Sequence, residues 1–275
     1  MNIKQYLNFG IRLAKKAGDI ALENYGRKIK ITYKGMAKNN LVTEVDEKIE
    51  NMIVKEIEKH FPTHCILTEE TGNCGNKHSD YRWVIDPIDG TTNYAHCYSF
   101  FAISIGLEYK GQMIAGVINA PYLQEIYHAE KGLGAFMNGK PISVSTTANL
   151  ETALLATGFT YHNRGLNLPN FEYFLYNSQG LRRCGAATLD LCHVAAGRLD
   201  GYWEMGLKPW DIAAGSLIVK EAGGRVTALD GSPCKLGGKS LLAANPYIHK
   251  KMVKFFKDQP RLKELFKETS ASCEV

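Results

Sequence analysis

Apolar residues recur at helical spacing near both ends of the chain. The first run predicts an opening helix that ends near Gly26, and the second predicts a helix from about Val45 to His60, with Pro62 beyond it. A third run, from Pro246 to Phe266, predicts a closing amphipathic helix. Because such helices are stabilised mainly by burial of one face, each is expected to pack against a sheet or another helix.

The centre of the chain has the pattern of strands. Short apolar runs at Cys65–Leu67 and Trp83–Ile85 each end in acidic residues, and we interpret them as buried strands whose ends meet if the strands pair. Three longer runs, separated by turn residues, predict an antiparallel meander over residues 101–109, 112–119 and 125–129.

Strands and helices alternate after about residue 145. The predicted strands cover residues 151–157, 201–204, 225–228 and 240–244, and the predicted helices cover residues 169–178, 186–196 and 212–222. This order favours an α+β fold built in layers over a wholly parallel sheet. Because no repeat or low-complexity linker interrupts the chain, residues 1–145 and 146–275 are expected to form two closely packed halves of one compact unit.

The composition is typical of a globular protein. Of the 275 residues, 45% are hydrophobic and 22% are charged, and 33 Lys and Arg against 28 Asp and Glu give a net charge of +5. The basic residues are dispersed, and the lysines between residues 250 and 257 are typical of a solvated helix face, so nucleic-acid binding is disfavoured. Seven cysteines without a C-x-x-C pair disfavour a zinc site or a disulfide framework.

The sequence gives no indication of a membrane location. The first residues lack the apolar core of a signal peptide. No apolar stretch approaches the roughly 20 residues needed to span a bilayer. We therefore expect a cytoplasmic protein with no membrane partner.

The segment Trp83–Asn93 is the most informative stretch for function. Asp86 and Asp89 lie three residues apart at the end of an apolar run, and Gly90 and two threonines follow at once. The carboxylates can point the same way from one turn, where hard cations would compensate their repulsion. The threonines are typical of a helix entry, where free N–H groups attract anions. The segment indicates metal-assisted phosphate chemistry, although Asp-Pro and Asp-Gly are also ordinary surface-turn dipeptides.

Other acidic residues are placed to join these carboxylates. Glu69 and Glu70 follow a predicted strand, either as a solvated acidic loop or as cation ligands. Asp211 precedes the predicted helix at 212, where it can cap the helix or face a metal. Asp46 opens the second helix, where it can interact with the helix dipole or polarise the Thr91 hydroxyl and so align an attacking water.

The candidate ligands are all oxygen donors. Glu204, at the end of another predicted strand, is a further acid of this kind. No His or Cys lies in the motifs around Glu69, Asp86 or Asp211. This composition favours Mg²⁺ or Mn²⁺ over Zn²⁺ or copper.

Three ordered motifs resemble those of the inositol monophosphatases, a family of lithium-sensitive, Mg²⁺-dependent phosphatases. They are Glu69-Glu70, Trp83–Asn93 and Trp210–Gly215, and the segments Gly185–Ala187 and Gly201–Gly206 resemble the family's substrate side. The likeness covers almost the whole chain. It implies a layered αβαβα sandwich of the sugar-phosphatase type, a homodimer, and hydrolysis of myo-inositol 1-phosphate by metal-activated water.

The resemblance also implies a role for each site residue. The implied metal ligands are Glu69, Asp86, Ile88 through its carbonyl, Asp89 and Asp211, with two to three Mg²⁺ ions or substituting Mn²⁺. The implied catalytic residues are Glu69, Asp46 and Thr91. The implied substrate-binding residues are Asp86, Ile88, Asp89, Gly90, Thr91, Ala187, Glu204 and Asp211, around a small phosphorylated polyol.

One position departs from the family pattern, and other functions stay open. The family's Asp-Leu-Val-Thr is Asn40–Thr43 here, which removes a carboxylate near the loop that contains Lys34 and bears on any third metal.

Fructose 1,6-bisphosphate is a rival substrate, alone or alongside inositol phosphate. A bisphosphate nucleotidase is disfavoured, because those relatives have Asp-Gly-Thr-Lys where this chain has Asp89–Thr92. Some bacterial members also associate with transcription machinery, which would be an accessory binding role.

Overall fold

The structure, a computed structural model, describes residues 2–34, 41–76, 78–160 and 164–262. Asn40, Cys273 and the last residues of the predicted closing helix lie outside this part of the chain. Seven α-helices lie within it: α1 Ile3–Asn24, α2 Glu44–His60, α3 Thr91–Ala95, α4 Leu168–Asn177, α5 Ala187–Ala195, α6 Pro209–Glu221 and α7 Pro246–Lys257. None of these helices has both the length and the apolar character that crossing a membrane requires.

The larger sheet has eight strands. They are β3 Cys65–Thr68, β4 Asn73–Gly75, β5 Tyr81–Asp89, β6 Ala102–Tyr109, β7 Gln112–Ala120, β8 Glu125–Glu130, β9 Ala135–Met137 and β10 Lys140–Ile142, in the spatial order β10-β9-β8-β7-β6-β5-β3-β4. The predicted meander is confirmed, since β6, β7 and β8 pair antiparallel. The two short apolar runs also pair as expected, with β3 parallel to β5 and Thr68 opposite Ile85. Their acidic ends therefore meet at one edge of the sheet.

The smaller sheet has five strands from the second half of the chain. They are β11 Leu154–Thr157, β12 Gly180–Arg182, β13 Gly201–Met205, β14 Arg225–Thr227 and β15 Ser240–Ala244, in the order β12-β11-β13-β15-β14. Strand β11 runs parallel to β12 and β13, whereas β15 pairs antiparallel with β13 and β14. A separate two-stranded sheet joins β1 Ile31–Tyr33 to β2 Leu41–Thr43.

Helices and sheets stack in five layers. Helices α1 and α2 pack on one face of the larger sheet, and α5 and α6 lie between its other face and the smaller sheet. Helix α7 packs on the outer face of the smaller sheet, beside α4, over a core that includes Phe174 and Trp203. The layers are therefore αβαβα, and the predicted layered α+β fold is confirmed.

The predicted closing helix and the predicted strand 151–157 have wrong boundaries. Helix α7 ends at Lys257 and not at Phe266, and a 3₁₀ turn follows at Pro260–Leu262. Proline has no N–H and disfavours a helical residue before it, so Pro260 accounts for this early end. The predicted strand 151–157 is a strand only from Leu154, because Leu150–Thr152 forms a 3₁₀ turn.

Candidate active site

One cleft collects most of the predicted site residues. It has a volume of about 330 Å³, and its walls come from the ends of β3, β5 and β13 and from the starts of α3, α5 and α6. The predicted residues that line it are Glu69, Asp86, Ile88, Asp89, Gly90, Thr91, Ala187, Glu204 and Asp211. Asp46 does not line the cleft, but it contacts Thr91, which does.

The two central aspartates belong to a distorted strand end. We expected Asp86 and Asp89 to lie on a turn, but β5 continues to Asp89 with a register shift between them. Three steps from Asp86 to Asp89 oppose two steps on β6, from Ser104 to Ala102. Residues three apart on a regular strand face opposite sides, so the extra residue of the bulge lets both carboxylates face the cleft.

Gly90 ends the strand and turns the chain into α3. Its φ of +86° is left-handed, which glycine adopts without strain. A Cβ at this position would lie 3.0 Å from the Phe100 carbonyl oxygen and 3.2 Å from the Ala186 Cβ. The first amides of α3, beginning at Thr91, have no acceptor within the helix and can therefore serve a ligand.

Asp86 lies at the centre of the acidic group. Its side chain is buried, and Oδ1 has no hydrogen-bond partner among the described residues. Burial raises the pKa of Asp86 well above its ordinary value, and repulsion from Glu69 and Asp89 raises it further. An unpaired buried carboxylate oxygen is costly, so this position calls for a cation.

Asp89 is held by the first turn of α5. The Thr188 amide and hydroxyl both donate to Asp89 Oδ2, at 2.7 and 2.6 Å. Burial raises the pKa of Asp89 to about 6, although the hydrogen bonds from Thr188 act in the opposite direction. The positive end of α5 also favours a carboxylate here. Sequence reasoning missed Thr188, since nothing links residues 89 and 188 before the chain folds.

Asp211 occupies the third position of α6. We expected it to precede the helix, but the helix begins at Pro209 and Lys208 is the cap residue. Proline suits the first position of a helix, because an N–H at that position would have no acceptor within the helix. The Lys208 amide donates to Asp211 Oδ2 at 2.7 Å. Burial, with repulsion from Asp89, raises the pKa of Asp211 well above its ordinary value.

Lys34 forms ion pairs with two glutamates of the acidic group. Lys34 Nζ lies 2.9 Å from Glu69 Oε1 and 2.7 Å from Glu70 Oε1. Burial lowers the pKa of Lys34, but the two glutamates outweigh it and raise that pKa overall. Burial raises the pKa of Glu70 to about 7, against the effect of Lys34. Buried Glu50 of α2 holds this loop by accepting the Glu70 and Thr71 amides, both at 2.9 Å.

Asp46 is placed to orient the Thr91 hydroxyl. It is the third residue of α2, which begins at Glu44, and its Oδ2 accepts the Thr43 amide at 2.9 Å and the Thr43 hydroxyl. Thr91 Oγ1 lies 3.1 Å from Asp46 Oδ1 and 2.9 Å from the Ile88 carbonyl oxygen. One hydroxyl hydrogen serves one of these acceptors at a time. Burial raises the pKa of Asp46 to about 6, although hydrogen bonds from Thr43 oppose it.

The opposite wall is formed by β13 and α5. Glu204 accepts the Tyr202 hydroxyl, and burial raises the pKa of Glu204 to about 7. A Cβ at Gly158 would lie 1.9 Å from Glu204 Oε2, so only glycine leaves room for this carboxylate. Asp190 of α5 also lines this wall, and sequence reasoning missed both Gly158 and Asp190.

The cleft side chains are of the chemical type that binds divalent cations. Within the described ranges, no group of three or more His, Cys, Asp or Glu side chains is arranged so that it could hold a metal ion. The fit rests on the partnerless Oδ1 of Asp86 and on oxygen donors whose repulsion a cation would relieve. Because Lys34 Nζ lies 2.9 Å from Glu69 Oε1, a cation bound by Glu69 would share this carboxylate with the lysine.

Comparison with known proteins decides the family. A sequence model of the inositol monophosphatase family matches residues 2–261. This chain belongs to the inositol monophosphatase family. Its members are Mg²⁺-dependent phosphatases, so the family assignment agrees with the donor chemistry of the cleft.

Individual relatives cover nearly the whole chain. The inositol-1-monophosphatase of Synechocystis is 43% identical over 254 residues, which are 91% of this chain and 88% of the relative. A protein of Pasteurella multocida named Nus factor SuhB is 40% identical over 265 residues, 95% of this chain and 98% of the relative.

Solved structures share the fold. The inositol monophosphatase of Anabaena (Nostoc) is 40% identical, covers 96% of this chain and 100% of its own, and has a TM-score of 0.84. An IMPase/NADP phosphatase complexed with Mg²⁺ and phosphate is 25% identical with a TM-score of 0.84, over 94% of this chain and 97% of its own.

Proposed function

We propose that this phosphatase hydrolyses myo-inositol 1-phosphate to myo-inositol and phosphate, with Mg²⁺ bound and water as the nucleophile. The observation that carries the proposal is the cleft itself. It joins the buried Asp86 carboxylate, whose Oδ1 has no hydrogen-bond partner among the described residues, on one wall to the Glu204 carboxylate on the other. The first wall suits a cation and a phosphate, and the second suits the hydroxyl groups of a polyol.

Specific residues would hold the metal. Glu69, Asp86 and the Ile88 carbonyl would hold the first ion, and Asp86, Asp89 and Asp211 the second. A third, weaker ion near Glu69 and replacement by Mn²⁺ belong to the same proposal. Bound there, the ions would stabilise developing charge on the phosphate and lower the pKa of a bound water.

The protein's own groups would position the reactants. Thr91 would orient the attacking water through its hydroxyl, and buried Asp46 would fix that hydroxyl through the 3.1 Å contact. Glu69 would act as a base or electrostatic partner. The amides of Gly90 and Thr91 would bind the phosphate. Glu204 and Ala187 would meet the alcohol part of the substrate.

Phosphate release from a panel of substrates tests this proposal. The panel is myo-inositol 1-phosphate, fructose 1,6-bisphosphate and 3′-phosphoadenosine 5′-phosphate, each with Mg²⁺ and with EDTA. We expect the highest kcat/KM for the inositol ester and loss of activity with EDTA. A preference of tenfold or more for fructose 1,6-bisphosphate would replace this substrate with the rival sugar phosphate, and activity unaffected by EDTA would contradict the metal.

A second candidate role comes from the relatives named Nus factor SuhB, one of them 40% identical over nearly full length. They support accessory binding to transcription machinery. Purified RNA polymerase tested against this protein and against the Synechocystis relative, named only as a phosphatase, provides a matched comparison. Recovery no greater than for a bead control would remove the second role.

We also propose a homodimer, in line with the family resemblance. Light scattering after size exclusion should give twice the 30.6 kDa mass of the chain. A mass equal to one chain at micromolar concentration would contradict the dimer and leave the substrate proposal unchanged.

A further inference from the structure

Asp190 is a buried carboxylate of the cleft wall that the proposed metal and water chemistry does not use. It lies in α5, three residues after Ala187, and only 2% of the residue is exposed. Its Oδ1 has no hydrogen-bond partner among the residues that the structure describes. Buried carboxylate oxygens nearly always have a partner, so Oδ1 indicates one that the folded chain does not supply.

The surroundings of Asp190 favour a neutral hydroxyl as that partner. Glu204 and Asp89 are the acidic groups that repel the Asp190 carboxylate, Arg183 is the cation that attracts it, and the Cys184 thiol is a weak donor to it. A phosphate would be repelled by Asp190 and Glu204. A further metal ion is disfavoured because Arg183 already supplies positive charge on this wall. A hydroxyl can donate and accept without adding charge.

The helix places Asp190 beside the expected substrate. Residues three apart on a helix lie on the same face, so Asp190 follows Ala187 along the cleft wall. Thr188, between them in sequence, donates its hydroxyl to Asp89, one of the proposed metal ligands. One turn of α5 thus contacts the metal-side carboxylate and also carries an acceptor for the alcohol part of the substrate.

We infer that Asp190 binds a hydroxyl group of the substrate's alcohol, beside Glu204, and so selects phosphate esters of polyols over esters that lack hydroxyl groups. This inference rests on the proposed function. A site built to hydrogen-bond a hydroxyl discriminates strongly against analogues without one, because its buried polar groups are then left unpaired.

The test compares two esters in the Mg²⁺-loaded enzyme. The measured quantity is kcat/KM for myo-inositol 1-phosphate divided by kcat/KM for 4-nitrophenyl phosphate. In Asp190→Ala we expect this ratio to fall about tenfold or more, mainly through a higher KM for the inositol ester. Asp190→Asn keeps the shape and one oxygen, so it should recover part of the ratio and should fold even if the alanine variant does not.

A core residue of the same helix provides the control. Cys192 is fully buried in the apolar cluster between the sheets, so Cys192→Ala perturbs α5 without touching the cleft. The ratio in this variant should stay within about twofold of wild type, whatever its melting temperature. A ratio that falls as far as in the Asp190 variants would assign the effect to helix packing and overturn the inference.

Failure of this inference differs from failure of the proposed function. If wild type hydrolyses the inositol ester and both Asp190 variants have the same ratio of kcat/KM values as wild type, Asp190 does not bind the substrate. If wild type hydrolyses 4-nitrophenyl phosphate but no polyol phosphate, the proposed function fails and the inference fails with it.

Discussion

At the scale of single residues, the metal-side carboxylates are arranged by their neighbours. Oδ2 of Asp89 receives two hydrogen bonds from one threonine, and Oδ1 of Asp86 receives none from the described chain. One aspartate is therefore oriented by the protein, and the other requires a ligand. The bulge at the end of β5 brings both to the same side.

Replacement of Asp89 by Asn should abolish hydrolysis and keep the fold. The amide oxygen can still accept from Thr188, but it is a weaker ligand for a hard cation than a carboxylate oxygen. We expect kcat/KM to fall by a factor of about 100 or more, since removing one transition-state electrostatic interaction costs on that order. Asp80→Asn is the control, because Asp80 is more than half exposed and does not line the cleft. Turnover near wild type in Asp89→Asn would contradict a ligand role.

Thr188→Val should weaken Mg²⁺ binding without removing a ligand. Valine keeps the shape and the amide donor but loses the 2.6 Å hydroxyl contact to Asp89. Loss of a group that orients a metal ligand typically costs 10- to 100-fold in metal affinity, so a roughly tenfold rise in the Mg²⁺ Kd is expected by calorimetry. Thr188→Ser, which keeps the hydroxyl, should remain near wild type. Equal Kd values in both variants would show that the hydroxyl does not position Asp89.

At the scale of elements, close packing of α6 on the larger sheet sets the position of Asp211. The sheet has glycines where the helix approaches. A Cβ at Gly116 would lie 3.0 Å from the Cα and the carbonyl oxygen of Ala214, and one at Gly106 would lie 3.3 Å from the Ala213 Cβ. Larger side chains on β6 or β7 would therefore push back the helix that carries a predicted metal ligand.

Gly116→Val should lower both stability and metal affinity. Inserting atoms into a packed interface typically costs about 1–3 kcal/mol, and the displaced α6 would carry Asp211 away from the cleft. Thermal unfolding and Mg²⁺ calorimetry measure the two effects. Gly10→Ala is a matched control in α1, since its Cβ would meet Val117 at an ordinary 3.4 Å and alanine favours a helix. A Gly116→Val protein with wild-type stability would contradict this account of the interface.

Local patterns predicted the elements better than their distortions. The opening helix, expected to end near Gly26, ends at Asn24, and the two strands with acidic ends pair in parallel as expected. The bulge of β5 was not predictable, because a register shift depends on the partner strand and not on the local sequence. The same is true of the Lys34 ion pair with Glu69, which joins residues far apart in the chain. The roles assigned to the cleft residues stay predictions.

At the scale of the whole molecule, the cleft gathers negative charge within a protein of net charge +5. Burial raises the pKa of Asp46 and Asp89 to about 6 and that of Glu70 and Glu204 to about 7. The same groups titrate near 4 in an unfolded chain. Ionising them in the folded protein without a cation therefore costs stability, and this cost grows as pH rises from about 4 to 7.

Two histidines, buried His249 and half-buried His193, act in the opposite direction. Burial lowers the pKa of His193 and His249 to about 4, so the stability they contribute is present above pH 6.5 and is lost as pH falls towards 4. A pH profile of the wild-type protein alone mixes the two effects. A comparison with Asp89→Asn separates them, because both proteins keep the same histidines.

The difference in metal-free stability between Asp89→Asn and wild type should therefore grow with pH. At pH 4 the Asp89 carboxyl is protonated in the folded state and about half protonated in the unfolded chain, so the two proteins should melt within about two degrees of each other. At pH 8 wild type carries the buried charge, and the variant should be more stable by about 1–3 kcal/mol, or several degrees in Tm. Saturating Mg²⁺ should reverse the order at pH 8, because the cation stabilises the wild-type carboxylate and binds the amide weakly. Scans in EDTA and in Mg²⁺ at both pH values measure this, and a difference independent of pH would mean that Asp89 does not carry an uncompensated charge.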